Sequence, residues 1–219
     1  MAADLTYPSG SVQIRQDGNL AVPTGKSIDV ESGGSLKIAG TAVTATAAEL
    51  NTMAGQTITG GAGAGITGGT GTIYKTSVQL SGGIYKTSIL IDLTGLGSST
   101  TDLDIIGVST PAAYIALLNA AQCGGTILAV SMQCLEAPAG GVTDIDLYSA
   151  TEGTGKFDDA VTGLTETALI TSGGAWANGT TKAATTAPLS TEYLYLTGGA
   201  GGTAATYTAG KFLIEIYGY

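Results

Sequence analysis

The first forty residues repeat a short pattern of apolar and polar positions every eight residues. Each repeat holds two aliphatic residues separated by one position and preceded by Ser or Asn. Side chains two positions apart in an extended chain point the same way, so each pair predicts a short strand with one apolar face. The pairs are Val12 and Ile14, Leu20 and Val22, Ile28 and Val30, and Leu36 and Ile38.

Strands this short need partners. Two apolar side chains in each octad bury too little surface to offset the conformational entropy of an isolated sheet. We therefore expect the octads to pack against copies of themselves, as a narrow trimeric β-prism or β-helix, or against the surface of another protein. A small meander folded onto the rest of the same chain is the alternative.

Residues 41–55 predict a short helix after the octads. A Thr-x-x-Glu capping box precedes it and Gly55 is a natural stop, which places the helix over 47–54. Two turns are too short to be stable alone in water, so the helix is expected to bury Leu50 and Met53. These two residues and the eight octad aliphatics form the predicted assembly surface.

The next segment predicts a hinge followed by a hairpin. Residues 59–71 contain seven glycines in thirteen positions, a linker composition, and the hinge is assigned to 56–72. The sequence Ile-Tyr-Lys-Thr-Ser then occurs twice, at 73–77 and 84–88, with Gly82 and Gly83 between the copies. Two strands joined through a Gly-Gly turn predict a β-hairpin.

The remainder predicts an antiparallel β-sandwich or jelly roll over residues 73–219, with one short helix at 111–122 that has Pro near its start and a Gly-Gly stop. The chain is thus expected to be mainly β, with an octad arm or stalk at 1–55, the hinge, and this acidic domain. Turn residues separate strand-like runs at 84–93, 103–108, 126–135, 142–148, 165–171, 192–197 and 211–217.

Charge and composition exclude several classes of protein. The 219 residues include no histidine, which removes the usual general base near neutral pH and the commonest metal ligand. Eight Lys and Arg against seventeen Asp and Glu give a net charge of −9, which disfavours nucleic acid as a partner. Apolar runs are far shorter than the roughly 20 residues of a membrane span, so no membrane association is expected.

The two cysteines are expected to be small buried packing residues. The N-terminus has no secretory pattern, which predicts a reducing compartment where disulfides are rare. A cross-strand disulfide between Cys123 and Cys134 is the alternative.

Acidic residues supply the remaining candidate chemistry. Asp102 and Asp104, and Asp144 and Asp146, have the spacing that puts two carboxylates on one face of a strand, and these faces are expected to be solvated. One alternative is a structural calcium ion near Asp144 and Asp146. A second is a polysaccharide depolymerase built on these two residues and Glu152. We predict no catalytic, cofactor or metal site.

One segment carries a resemblance. Residues 40–51, Gly-Thr-Ala-Val-Thr-Ala-Thr-Ala-Ala-Glu-Leu-Asn, resemble a segment found in virion proteins of tailed bacteriophages, including tail fibres and head-associated proteins. In those proteins it usually lies between a thin β-rich stalk and a globular part. The usual continuation Leu-Asp-Gly is here Met-Ala-Gly at 53–55. The region from about Ile84 onward also resembles globular modules of small phage structural proteins.

The resemblance and the octads together predict a non-enzymatic virion protein, assembled into particles in the host cytoplasm. We expect a homotrimeric capsid decoration or cement protein whose N-terminal arm docks on the major capsid protein, or on a tail protein. The alternative is a short tail or head fibre that binds a glycan or protein receptor on the host surface, with Tyr148, Trp176 and Tyr207 as contact residues.

Overall fold

The computed structural model describes residues 61–219 and, before them, four strands of two residues each. The backbone contacts divide the chain into two compact units, Met1–Asn51 and Thr52–Tyr219. Each unit is described by itself.

In the first unit, short strands lie where three of the four octads predict them. Strand β1 (Gln13–Ile14) pairs antiparallel with β2 (Leu20–Ala21), and this register sets Ile14 opposite Leu20. Strand β3 (Lys37–Ile38) pairs with β4 (Thr41–Ala42). The predicted strand at 28–30 and the predicted helix at 47–54 lie outside the described residues.

The second unit is built on two antiparallel sheets in a sandwich-like arrangement, which confirms the mainly β prediction. Its elements follow in chain order: helix α1 (Ala64–Thr67), β5 (Ile73–Ser81), β6 (Ile84–Asp92), β7 (Gly97–Ser98), β8 (Ala116–Leu117), helix α2 (Ala120–Cys123), β9 (Ile127–Ala139), β10 (Ile145–Ala150), a 3-10 turn (Val161–Gly163), β11 (Glu166–Ile170), β12 (Thr181–Ala183), β13 (Tyr193–Gly198), β14 (Ala205–Thr206) and β15 (Ala209–Gly218).

The larger sheet has five strands in the order β12-β9-β15-β6-β5. The predicted hairpin is confirmed here, since β5 and β6 pair from Ile73 opposite Asp92 to Ser81 opposite Ile84, around Gly82 and Gly83. Strand β15 shows why the sheet is amphipathic, because its residues alternate between buried and half-exposed along its whole length. Its inward side chains pair with the inward side chains of β6 and β9 and form one wall of the core.

The smaller sheet has four strands in the order β11-β10-β13-β8 and is covered on both faces. All six residues of β10 are buried, although neighbouring residues of a strand face opposite sides. The loops supply part of this cover, since the Tyr195 hydroxyl donates to the Glu152 carbonyl oxygen at 2.7 Å. The rings of Tyr114 and Tyr193 also pack edge to face at 4.9 Å.

The described part of the predicted hinge is packed into the domain. Residues 63–68 form the short helix α1 and its ends, and Ile66 in this helix is fully buried. The Gly63 and Gly65 amides donate to the carbonyl oxygens of Tyr114 and Ala112, each at 2.8 Å. The glycines therefore allow close backbone approach rather than flexibility, and the linker interpretation is wrong for residues 61–72.

The predicted helix at 111–122 is also wrong over most of its length. Instead, β8 pairs with β13, Ala112 forms a bridge with Lys156, and the Ile115 amide donates to the Leu194 carbonyl oxygen at 2.7 Å. Only the last turn becomes helical, as α2. The strand expected at 103–108 is reduced to isolated bridges, and Leu103 has a positive φ of 68° that interrupts an extended conformation.

The C-terminal end of β15 depends on a glycine. A Cβ atom at Gly218 would lie 1.7 Å from the Cys123 carbonyl oxygen and 2.7 Å from that of Thr126. We expect Gly218→Ala to lower stability by about 3 kcal/mol, the range of an overpacked core, and to lower the melting temperature in circular dichroism. The control is Gly125→Ala, where a Cβ atom would meet nothing within 4 Å. Equal melting temperatures for the two variants would contradict this close contact.

Candidate functional site

Three of the ten predicted assembly residues lie in described strands of the first unit. Ile14 and Leu20 are paired residues of β1 and β2, and Ile38 lies in β3 opposite Thr41. The other seven lie outside the described residues. The assembly surface therefore stays a prediction. Strands β1, β2 and β3 each contain one residue of the octad pairs from which that surface was inferred.

The two acidic pairs from the sequence lie beside each other in the structure. The Leu103 amide donates to the Gly198 carbonyl oxygen at 2.8 Å, and the Gly199 amide donates to that of Asp144 at 2.8 Å. Both Asp-x-Asp segments therefore flank the same end of β13. We call Asp102, Asp104, Asp144 and Asp146 the acidic cluster.

The acidic cluster is not the solvated strand face that the spacing predicts. Asp104, Asp144 and Asp146 are 7%, 6% and 6% exposed, and only Asp102 is well exposed. The prediction was wrong because covering loops bury both faces of the smaller sheet. Alternation along one strand carries no information about this cover.

The surroundings of Asp146 raise the pKa of its carboxyl. Burial raises the pKa of its carboxyl, and the nearby charges of Asp144 and Asp102 add to this increase. The Ser172 amide, which donates to Asp146 Oδ1 at 2.5 Å, and the charge of Lys182 oppose it. Asp144 Oδ1 is buried with no hydrogen-bond partner among the described residues.

The cluster lacks the grouping that a metal site needs. Within residues 61–219, no three His, Cys, Asp or Glu side chains are arranged so that they could hold a metal ion. The calcium alternative near Asp144 and Asp146 therefore gains no support from the side-chain geometry.

The acidic loop after β10 is held by its own hydrogen bonds. Glu152 accepts from the Thr165 amide and hydroxyl at 2.9 and 2.8 Å, and these bonds lower the pKa of its carboxyl. Asp159 accepts from the Lys156 amide at 3.1 Å. The loop borders an open depression of about 460 Å³. Asp146 and Glu152 thus accept hydrogen bonds from the protein's own backbone, whereas the Asp144 side chain is buried.

The aromatic residues expected to contact a host are core residues instead. Tyr148, Trp176 and Tyr207 are 7%, 3% and 1% exposed. The Trp176 indole N–H donates to the Ile145 carbonyl oxygen at 2.7 Å, and its ring packs edge to face on Phe212 at 5.3 Å. The Tyr207 hydroxyl donates to the Val142 carbonyl oxygen. None of the three can serve as a surface contact in this conformation.

Both cysteines are free and buried in the core. Burial raises the pKa of each thiol, which keeps them protonated and poorly reactive. The packing role is confirmed, and the alternative disulfide is not formed.

The outward face of the larger sheet is a candidate site that the sequence analysis did not identify. We call it the open face; it comprises the outward residues of β5, β6, β15 and β9. At its centre Leu90 and Leu213 are direct cross-strand partners. Around them lie Lys86 with Glu215, 2.5 Å apart, and Lys211, which contacts Asp92 at 3.3 Å and Glu136. The only sequence signal was the alternation in residues 211–217.

No protein-family model, curated protein or solved structure matches the chain. Among the helices of residues 61–219, none has the length and apolar character that a membrane crossing requires.

The buried carboxylate of Asp146 generates a prediction about pH. Because its folded pKa lies above the unfolded value, ionisation costs stability above the folded pKa, and this cost disappears as the pH falls towards the unfolded value. Asp146→Asn keeps an oxygen for the Ser172 amide and removes the charge. We expect it to raise the melting temperature at pH 7 by roughly 2–4 °C, with the gain lost below about pH 4.

The matched control is Glu152→Gln, where the sign is opposite. The folded pKa of Glu152 is lowered, so its stabilising effect is present at neutral pH and lost in acid. Melting curves of both variants from pH 3 to 8 check this pair. A neutral-pH destabilisation by Asp146→Asn would contradict the predicted cost of the charge.

Proposed function

We propose that this protein is a non-enzymatic structural component of a tailed-bacteriophage virion, a homotrimeric capsid decoration protein that docks on the major capsid protein through its N-terminal arm. The arm would carry the binding, and the β domain would project from the particle. The proposal rests first on the resemblance of residues 40–51 to phage virion segments that lie between a stalk and a globular part.

The observation that carries the proposal is where the chain divides. The first compact unit ends at Asn51, which is also the last residue of the segment that resembles phage proteins. The first compact unit and the resembling segment therefore end at the same residue, four residues before the predicted end of the arm at 55. This agreement supports the proposal that the N-terminal arm has a function separate from that of the β domain.

Chemistry of the arm supports docking by strand pairing and apolar burial. The described pairs β1–β2 and β3–β4 are two residues long, and strands this short are not stable without further partners. An arm extended at about 3.3 Å per residue would reach across neighbouring coat subunits. Strand addition to an exposed sheet edge is a common way to bind such segments.

Burial of the aromatic residues favours decoration over the fibre alternative. A receptor-binding tip normally presents aromatic anchors at its contact surface, whereas Tyr148, Trp176 and Tyr207 lie in the core. The loop carboxylates hold the backbone, as described above. These features fit a durable coat domain better than a tip that recognises a glycan.

Copy number is the direct test of the proposal. We expect hundreds of copies of this chain in each particle, because a decoration protein follows the repeats of the shell. Quantitative mass spectrometry of purified virions, scaled to the major capsid protein, measures the ratio. A handful of copies would indicate a fibre or spike, and absence from the particle would end the proposal.

The octad mechanism makes a separate prediction. Replacing Ile28 and Leu36 with Asp would bury charges in a dry seam, which costs several kcal/mol. We expect the double variant to lose trimers and shell binding by at least about 100-fold, while the β domain keeps its melting temperature. Sedimentation with capsids and light scattering measure the two losses. The matched control, Ile28→Leu with Leu36→Ile, should assemble normally; an Asp variant that still trimerises and binds would overturn the mechanism.

A further inference from the structure

We infer that the open face of the five-stranded sheet is a self-association surface, on which a second copy of this chain packs face to face. This inference goes beyond the arm and does not depend on it. The argument begins with the two sheets. The central strands β10 and β13 of the smaller sheet are buried on both faces, whereas the larger sheet has an outward face whose central residues are only half-buried.

Charge distribution selects this face for contact between copies. Residues 61–219 carry five lysines and twelve carboxylates, a net charge of −7. The open face holds three of these lysines and three of the carboxylates, so it is neutral. The rest of the domain keeps two lysines and nine carboxylates and carries the whole −7. Repulsion between two copies is therefore smallest when their neutral faces meet.

Neutrality is arranged inside each copy. Lys86 pairs with Glu215, and Lys211 pairs with both Asp92 and Glu136. Lys86 Nζ also lies 5.7 Å from the centroid of the Tyr217 ring. Because five of the six charged groups of the face, all except Lys75, have ion-pair partners there, a second copy can cover those five without supplying counter-charges, and the cost of removing water is smaller.

The pattern on the face is that of an interface. Leu90 and Leu213 form an apolar centre between β6 and β15, with Lys75 and Gln133 next to them on the flanking strands. Ser88, Glu215 and Ser131 form the next cross-strand row. An apolar centre inside a polar and charged border is the usual anatomy of a protein interface, and small residues let two sheets approach to about 10 Å.

The size of the face fits a stable pair. Four long strands about 4.8 Å apart and about nine residues long at 3.3 Å each give roughly 600 Å² of flat area. Side-chain relief increases the accessible area, towards the roughly 800 Å² that each partner contributes to a standard interface. A face that meets its own copy is related to it by a two-fold axis, so the pair closes.

The test is a matched pair of substitutions in the full chain. Leu213→Glu puts a charge in the centre of the open face, and Leu189→Glu makes the same change at a loop position that is 63% exposed. Light scattering over a concentration series should show that Leu213→Glu halves the mass of the wild-type assembly and weakens pairing about 30-fold or more, the effect of losing a hot-spot residue. Leu189→Glu should leave the mass unchanged.

Salt gives a second readout. The neutral faces associate although the rest of each domain, with its net charge of −7, repels the other copy. Raising the ionic strength screens repulsion between exposed charges, so it should strengthen pairing in the wild type. Weaker pairing at high salt would mean that charge attraction holds the copies together and would overturn this interface.

A spin label keeps the proposal testable if Leu213→Glu does not fold. Ser88→Cys places a label on the open face, while the two native thiols are buried. Packed faces about 10 Å apart should give a distance between labels within about 30 Å. No distance in that range in an associated sample would overturn the proposal.

The same measurements separate this surface from the arm. Repeating Leu213→Glu in the Ile28→Asp and Leu36→Asp background should again halve the mass, because the two contacts are independent. If the chain's own arm covers the open face, Leu213→Glu will leave the mass unchanged and make the arm more sensitive to protease. If a different protein covers it, the wild type will show no pairing. Either result overturns self-association and leaves the arm hypothesis standing.

Discussion

Pairing of β15 along both of its edges is the interaction on which the rest of the domain depends. This strand lies between β6, near the start of the domain, and β9, in its middle. Its inward Phe212, Ile214 and Ile216 are fully buried and carry the core between the two sheets. Because β15 joins β6 and β9, the larger sheet is held together by contacts between segments that lie far apart in the chain.

Burial is distributed unequally between the two sheets, and this inequality explains where the chemistry lies. Loops cover the smaller sheet, which buries Asp104, Asp144 and Asp146 and turns them into internal polar groups. Within residues 61–219 no loops cover the outward face of the larger sheet in this way, and Lys86 and Lys211 pair with carboxylates there. The acidic surface is thereby left to the loops and ends of the domain.

Sequence patterns predicted those elements whose formation depends on residues close together in the chain. The duplicated Ile-Tyr-Lys-Thr-Ser segment around Gly82 and Gly83 predicted the hairpin, and strand-like runs bounded by turn residues predicted most long strands, because both signals lie in neighbouring residues. Long-range contacts decided the rest. Gly63 and Gly65 resemble a linker, yet a Cβ atom on either would collide with backbone oxygens of 111–112. Ile115 resembles a helix position, but its amide binds the neighbouring strand. The acidic cluster and the open face needed the tertiary cover of each sheet, which no local pattern encodes.

The two proposed contacts differ in symmetry, and this difference constrains the assembly. An octad arm completed by two further copies has a three-fold axis, whereas a sheet face on its own copy has a two-fold axis. If both form in solution, their axes combine either in a closed particle of six chains or in an extended net. On a shell, where the arms are held by coat subunits, the face contact would instead join chains of neighbouring trimers. The negative charge of the domain would then favour contact through this one face and oppose aggregation between particles.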